Sequence, residues 1–171
     1  MSISVSDLSA RIDRASRATG HAASWLTLAM VLVTFVIVVL RYVFDVGLIW
    51  LQETLTWLHA AVFMLGAAYT LCEDEHVRVD IFYRDMSARH RAWVNLLGTL
   101  LFVLPVCLFF VWESWDYVVN SWSIGEVSRD AGGLPYPFLP LLKSALIVMP
   151  VAVALQGVSL ILKSVNTIRG N

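Results

Sequence analysis

The chain has 171 residues, 58% of them hydrophobic and 15% charged, with a mean hydropathy of +0.73. Soluble domains carry about 25% charged residues, so this chain lacks the polar side chains to cover a water-facing surface, and a lipid bilayer is its expected solvent. The formal net charge of -1 gives no basic excess for nucleic acid, and the length fits one membrane domain, residues 1-171.

Residues 1–21 place Val5, Leu8, Ile12 and Ala15 at helical spacing, with Arg11, Arg14 and Arg17 between them and Ser6 as a candidate N-cap. This segment reads either as a polar tail or as an N-terminal interfacial helix lying on an anionic leaflet. No cleavable signal peptide is expected, because the next apolar run exceeds the roughly 7–15 residues of a signal core.

Four transmembrane helices are expected, near residues 22–44, 48–72, 92–119 and 138–162, since a span needs about 20 apolar residues. Trp25 and Tyr42 anchor the ends of the first span. Asp45, Val46 and Gly47 form the following turn, with Gly47 the residue suited to positive φ. The second span carries Gln52, Glu53 and His59, and its small residues Gly66, Ala67 and Ala68 permit close helix packing. Residues 73–91 form a charged loop, with Val77, Val79, Ile81, Phe82 and Met86 suggesting a short interfacial helix. Pro105 is a candidate kink in the third span. Gly125, Gly132, Gly133, Pro135 and Pro137 mark residues 120–137 as a loop. Lys143, Pro150, Gln156 and Gly157 lie in the fourth span.

The arginine and lysine distribution predicts orientation. Arg11, Arg14, Arg17, Arg78, Arg84, Arg89, Arg91, Lys163 and Arg169 share one side of a four-span chain; Arg41, Arg129 and Lys143 lie toward the other. The richer side is cytoplasmic, so both termini and the loop 73–91 are expected inside and the loop 120–137 outside.

Few residues are candidates for chemistry. Arg41 lies about five residues before the turn and Glu53 about seven after, which at 1.5 Å per residue gives them similar depth. A lone charge at the bilayer centre costs about 2.5–3.5 kcal/mol, so Arg41 and Glu53 are a candidate structural ion pair, the alternatives being a role in passage, snorkelling or a partner contact. Glu113, Asp116 and Lys143 are a candidate outer polar cluster or partner-contact set. His21 and His59 do not match in depth as paired haem ligands would. Cys72 and Cys107, the only cysteines, form no metal-binding or redox pattern. Neither a catalytic set nor a cofactor or metal site is expected.

The order of several short motifs resembles a known family. Arg41-Tyr42-Val43-Phe44, then Trp50 and Glu53, Leu65-Gly66-Ala67, and His76-Val77-Arg78-Val79-Asp80 resemble the small membrane subunit of TRAP (tripartite ATP-independent periplasmic) transporters, DctQ-type. In the second half Ser121-Trp122, Glu126, Ser128, Gly133-Leu134-Pro135, Lys143 and Gln156-Gly157 are similar to the mannitol/chloroaromatic-type group. The likeness covers roughly residues 30–160 and rests on order rather than on any single motif. Gln52, where many relatives carry a second acid, and the acidic Cys72–Glu75 segment depart from it.

The resemblance implies a bacterial inner-membrane protein that accompanies a large TRAP membrane subunit and a periplasmic solute-binding protein. The large subunit is expected to carry the sodium and substrate sites and to move as an elevator. The small subunit is expected to be its non-catalytic scaffold among membrane lipids, in ion-gradient-driven uptake of an organic acid or similar solute. Two other readings stand beside it: a membrane anchor or haem subunit of a redox complex, and a stand-alone small exporter.

Overall fold

The computed structural model describes residues 5–76 and 80–170. Those residues form helices joined by turns and loops and carry no strand: α1 Val5–Val43, α2 Ile49–Cys72, α3 Asp80–Tyr83, α4 Ala88–Gly98, a π-helical turn Thr99–Val103, α5 Leu104–Ser123 and α6 Phe138–Arg169. α4, the π turn and α5 form one continuous rod, so four helices are long and apolar enough to cross a membrane. The bundle has a terminal end, holding the start of α1, the end of α6 and residues 73–76 and 82–87, and a loop end, holding residues 44–48 and 124–137.

The helices overrun the expected spans at several ends. α1 has 39 residues, about 58 Å at 1.5 Å per residue against a hydrocarbon core of about 30 Å. From Val5 on, the segment before His21 is neither a tail nor a separate helix lying in the interface; it continues the first span without a break. The periodicity of Val5, Leu8, Ile12 and Ala15 does not mark the packed face either, since Leu8 and Ala15 are exposed while Ser9, Ser16, Gly20 and Ala23 are buried. At Gly20 the ring of Tyr69 on α2 occupies the space a Cβ would need, so glycine lets the two helices meet.

α1 ends as Asp45 enters the left-handed region at φ 53° and the Val46 N–H donates to the Leu40 carbonyl at 2.9 Å, which satisfies a terminal carbonyl. Aspartate tolerates this conformation through its short polar side chain, so within the expected turn it is Asp45, rather than Gly47, that takes the positive φ. At the other end of the rod Ser87 caps α4, its hydroxyl accepting from the His90 N–H at 3.3 Å. Within the rod, Pro105 has no N–H to donate and its ring crowds the preceding turn. The helix accommodates it by widening just upstream, where the Leu104 N–H donates to the Thr99 carbonyl five residues back.

α6 lies against α1, α2, α4 and α5 and is the hub of the bundle. Its interior contacts use small and polar residues: Pro140, Pro150, Gln156, Gly157, Ser159 and Ser164 are buried. Large apolar side chains point outward instead, among them Trp25, Phe35, Phe102, Leu108 and Trp112. That inversion suits lipid, which solvates leucine and phenylalanine, while close helix contact selects small residues.

Candidate functional site

The polar side chains that tie distant elements together gather in two places, one at each end of the bundle. At the terminal end Gln156 of α6 is 2% exposed. Its Oε1 accepts from the Ser16 hydroxyl at 2.7 Å, and its Nε2 donates to Asp13 Oδ1 at 2.9 Å. The Ser159 hydroxyl donates to the same oxygen at 2.7 Å, and Lys163 Nζ meets Asp13 Oδ2. One carboxylate of α1 thus collects three side chains that α6 offers at 156, 159 and 163, successive positions on one helix face. Beside it Arg17 pairs with Glu73 at the end of α2, 2.6 Å apart.

At the loop end the hub is Glu53. Its Oε1 accepts from the Ser128 hydroxyl, and its Oε2 accepts from the Leu134 N–H at 2.6 Å. Gly133 lies so close that a Cβ there would press on Ser128 and on Glu53. The Trp50 N–H donates to the Gly132 carbonyl at 3.1 Å, and Trp57 Nε1 donates to the Phe138 carbonyl at 3.2 Å. The loop 124–137 is thereby fastened down onto α2. A second fastening reaches α6: Lys143 pairs with Glu126 and sits 3.9 Å from the centroid of the Tyr117 ring, a cation–π contact. Trp122 Nε1 also donates to the Ser144 hydroxyl at 2.9 Å. The Lys143 ammonium holds the Glu126 carboxyl below the usual carboxylate range.

Between these groups lies an open cavity of about 600 Å³, lined by Glu53, Tyr117, Asn120, Glu126, Arg129 and Lys143 among others. An apolar groove of about 730 Å³ runs along α5 past Leu108, Trp112, Trp115 and Asp116. Among the described residues no group of three or more His, Cys, Asp and Glu side chains is arranged to hold a metal ion.

The structure separates several residues that depth counting brings together. Arg41 and Glu53 form no ion pair. Both oxygens of Glu53 are taken by Ser128 and Leu134, while Arg41 lies beside Val46, Gly47 and Gln52 at the turn. Equal depth does not imply equal azimuth, and Glu53 faces the 124–137 loop. Lys143 joins Glu126 rather than Glu113 or Asp116, both of which are exposed on α5.

Of the family-like positions, Trp50, Trp122, Glu126 and Gln156 take part in the contacts above. Ser121 is 1% exposed, with its hydroxyl close to the Glu126 carboxylate. His76 is exposed, while Val77, Arg78, Val79 and the side chain of Asp80 lie outside the described residues. Asp13, Ser16, Ser159 and Lys163 carry no motif. The one sequence signal near them is the small-residue spacing Ser9, Ser16, Gly20, Ala23, which includes Ser16 and runs on from the N-terminal segment into the first span.

The family model described as "Tripartite ATP-independent periplasmic transporters, DctQ component" matches residues 30–169. The C4-dicarboxylate TRAP transporter small permease protein DctQ of Vibrio cholerae serotype O1 is 28% identical over 89 residues, 52% of this chain. The match spans only 38% of that relative's length. No solved structure matches the chain. Four membrane-length helices in the expected order, together with a match running from the first span to the end of the fourth, place this chain in the DctQ component family of the tripartite ATP-independent periplasmic transporters.

Proposed function

We propose that the chain is the static, non-catalytic scaffold of a TRAP-type secondary transporter, holding a large transport subunit that takes up an organic acid or similar solute at the expense of an ion gradient. A periplasmic solute-binding protein would deliver the solute, and the complex would sit in the bacterial inner membrane with both termini of this chain cytoplasmic. The observation that supports this reading is the placement of polar groups. They fasten helix to helix at the two ends of the bundle, Asp13 to Gln156, Ser159 and Lys163 at one and Glu53 to Ser128 and Leu134 at the other. The girdle between is mostly apolar and largely outward-facing. A body held rigid at both ends suits a support against which another subunit moves.

The family implies association with a large subunit in general; the mechanical role is the step proposed here. Co-expression with the large subunit of the same transporter, followed by affinity purification of this chain in mild detergent, should recover both. Recovery of the small chain alone would sink the proposal. A cysteine placed at Ser87 should react with a membrane-impermeant reagent only after the cells are opened; reaction in intact cells would invert the orientation.

A further inference from the structure

The outward faces of the long helices differ in chemistry. α1 exposes Val31, Leu32, Phe35 and Val36, and its exposed Thr34 hydroxyl is already satisfied by the Met30 carbonyl at 2.7 Å. α6 exposes Leu141, Val148, Val151 and Leu155. Hydrocarbon solvates both faces well. The exposed face of α2 is different: past the tryptophan at its start it presents Gln52, Thr56, His59 and Phe63, and Gly66 continues the line. These positions recur every fourth and third residue, the spacing of a seam along one side of a helix.

The seam lies at membrane depth. α2 starts at Ile49, so His59 stands about 15 Å along a helix about 36 Å long, near its middle. The Thr56 hydroxyl returns to the Gln52 carbonyl at 3.3 Å. The His59 ring rests on Phe63, with centroids 4.7 Å apart. Among the described residues, the Gln52 amide and the His59 ring nitrogens have no hydrogen-bond partner. At the depth of His59 lipid tails offer none, and an unpaired polar group in hydrocarbon is unfavourable.

We propose that this face of α2 seats a transmembrane helix of the large subunit; the inference rests on the scaffold reading above and adds the face. The chemistry of the seam specifies the occupant. It carries hydrogen-bonding side chains at the depths of Gln52 and His59, a small residue opposite Phe63, which is 67% exposed, and a bulky apolar residue opposite Gly66. An added methyl group at Gly66 meets nothing within 4 Å, so a knob from outside fits there. A parallel second copy of this chain is a poorer fit. It would set Phe63 against Phe63 and Gly66 against Gly66, bulk on bulk and gap on gap.

The test uses the co-expressed pair. In the double variant Gln52→Leu, His59→Leu, recovery of the large subunit should fall about tenfold, the effect of losing two interhelical hydrogen bonds. The same variant expressed alone should keep or raise its yield and thermal midpoint, because leucine suits lipid better than glutamine or histidine. Val31→Trp and Val151→Trp, on the apolar faces of α1 and α6, should recover the partner as the wild type does.

If the wild type recovers the large subunit and the double variant does so equally, the α2 face is wrong while the scaffold role stands. If the wild type recovers no large subunit, both fall. In a Cys72→Ser, Cys107→Ser background, a Thr56→Cys chain that cross-links to the large subunit supports the proposal. One that cross-links chiefly to a second copy in the presence of the large subunit overturns it.

Discussion

Replacing Gln156 with leucine keeps the side-chain volume close to native and removes both of its hydrogen bonds. Gln156 is 2% exposed, so water does not substitute for them. The Ser16 hydroxyl, 6% exposed, is left without its acceptor, and Asp13 loses one of its donors. Interhelical hydrogen bonds in membrane proteins average about 0.6 kcal/mol in double-mutant cycles, which sets a floor of about 1 kcal/mol for the two. Stranding a buried hydroxyl raises the figure, because an unsatisfied buried group costs about 1–3 kcal/mol. The expected loss is about 2 kcal/mol, equivalent to about 4–8 °C in thermal midpoint for a chain of this size. Lys163→Met should lose less, since the Lys163 side chain is 46% exposed and half-solvated ion pairs contribute about 0–1 kcal/mol. Thermal unfolding in detergent, followed by circular dichroism, measures both. An unchanged midpoint in Gln156→Leu, or a larger loss in Lys163→Met, would refute the assignment of Gln156 as the centre of the terminal-end cluster.

Gly20→Ala should destabilise the contact of α1 with α2 by about 1–3 kcal/mol, the usual cost of overpacking, because the added carbon meets the root of the Tyr69 side chain; the same melting assay reads it. Glu53→Ala should speed hydrogen exchange at the Leu134 amide, whose acceptor it removes, whereas Arg41→Ala should leave that amide unchanged; equal effects would restore an Arg41–Glu53 link. The Glu126 contact should respond to acid. Its folded-state pKa lies below the ordinary 4.5 because Lys143 favours the charged form, so its stabilisation is present above 4.5 and is lost as pH falls through the lower folded value. Tryptophan fluorescence should follow the loss, since Trp122 packs edge-on against Tyr136 with centroids 6.2 Å apart. Lys143→Met should remove the pH-dependent part of the signal, and its persistence there would assign the transition to another carboxylate.

The helices were legible because apolar runs of membrane length are long, local signals. Ile49–Cys72 falls within a residue of its expected start and on its expected end. The family likeness was legible from the order of short motifs, and Lys143, Glu126 and Gln156 were already among its positions. The ties were not legible, because they join residues far apart in sequence: Glu53 to Ser128, Lys143 to Glu126, and Asp13 to Ser159. Depth counting orders residues along the membrane normal but leaves their rotation about the helix axis open, which is how Arg41 and Glu53 came to be matched. The N-terminal segment misled for another reason. Its apolar spacing suggested an interfacial helix, but the packed side of a membrane helix is marked by small residues, and Ser9, Ser16, Gly20 and Ala23 mark it.

The π turn at Thr99–Val103 sets the phase of the loop end. The buried residues of that rod are Ala92, Thr99, Cys107, Val118 and Ser121. Their intervals are seven, eight, eleven and three, all helical repeats except the eight that crosses the π turn. One extra residue there delays the rotation by about 100°. An unbroken α-helix would instead carry Val106, Tyr117 and Asn120 inward, swinging Trp122 off Ser144 and Tyr117 off Lys143. A proline without an N–H, midway along the rod, thus acts as a vernier that aligns contacts at the far end of the bundle, about three to five helical turns from where it sits.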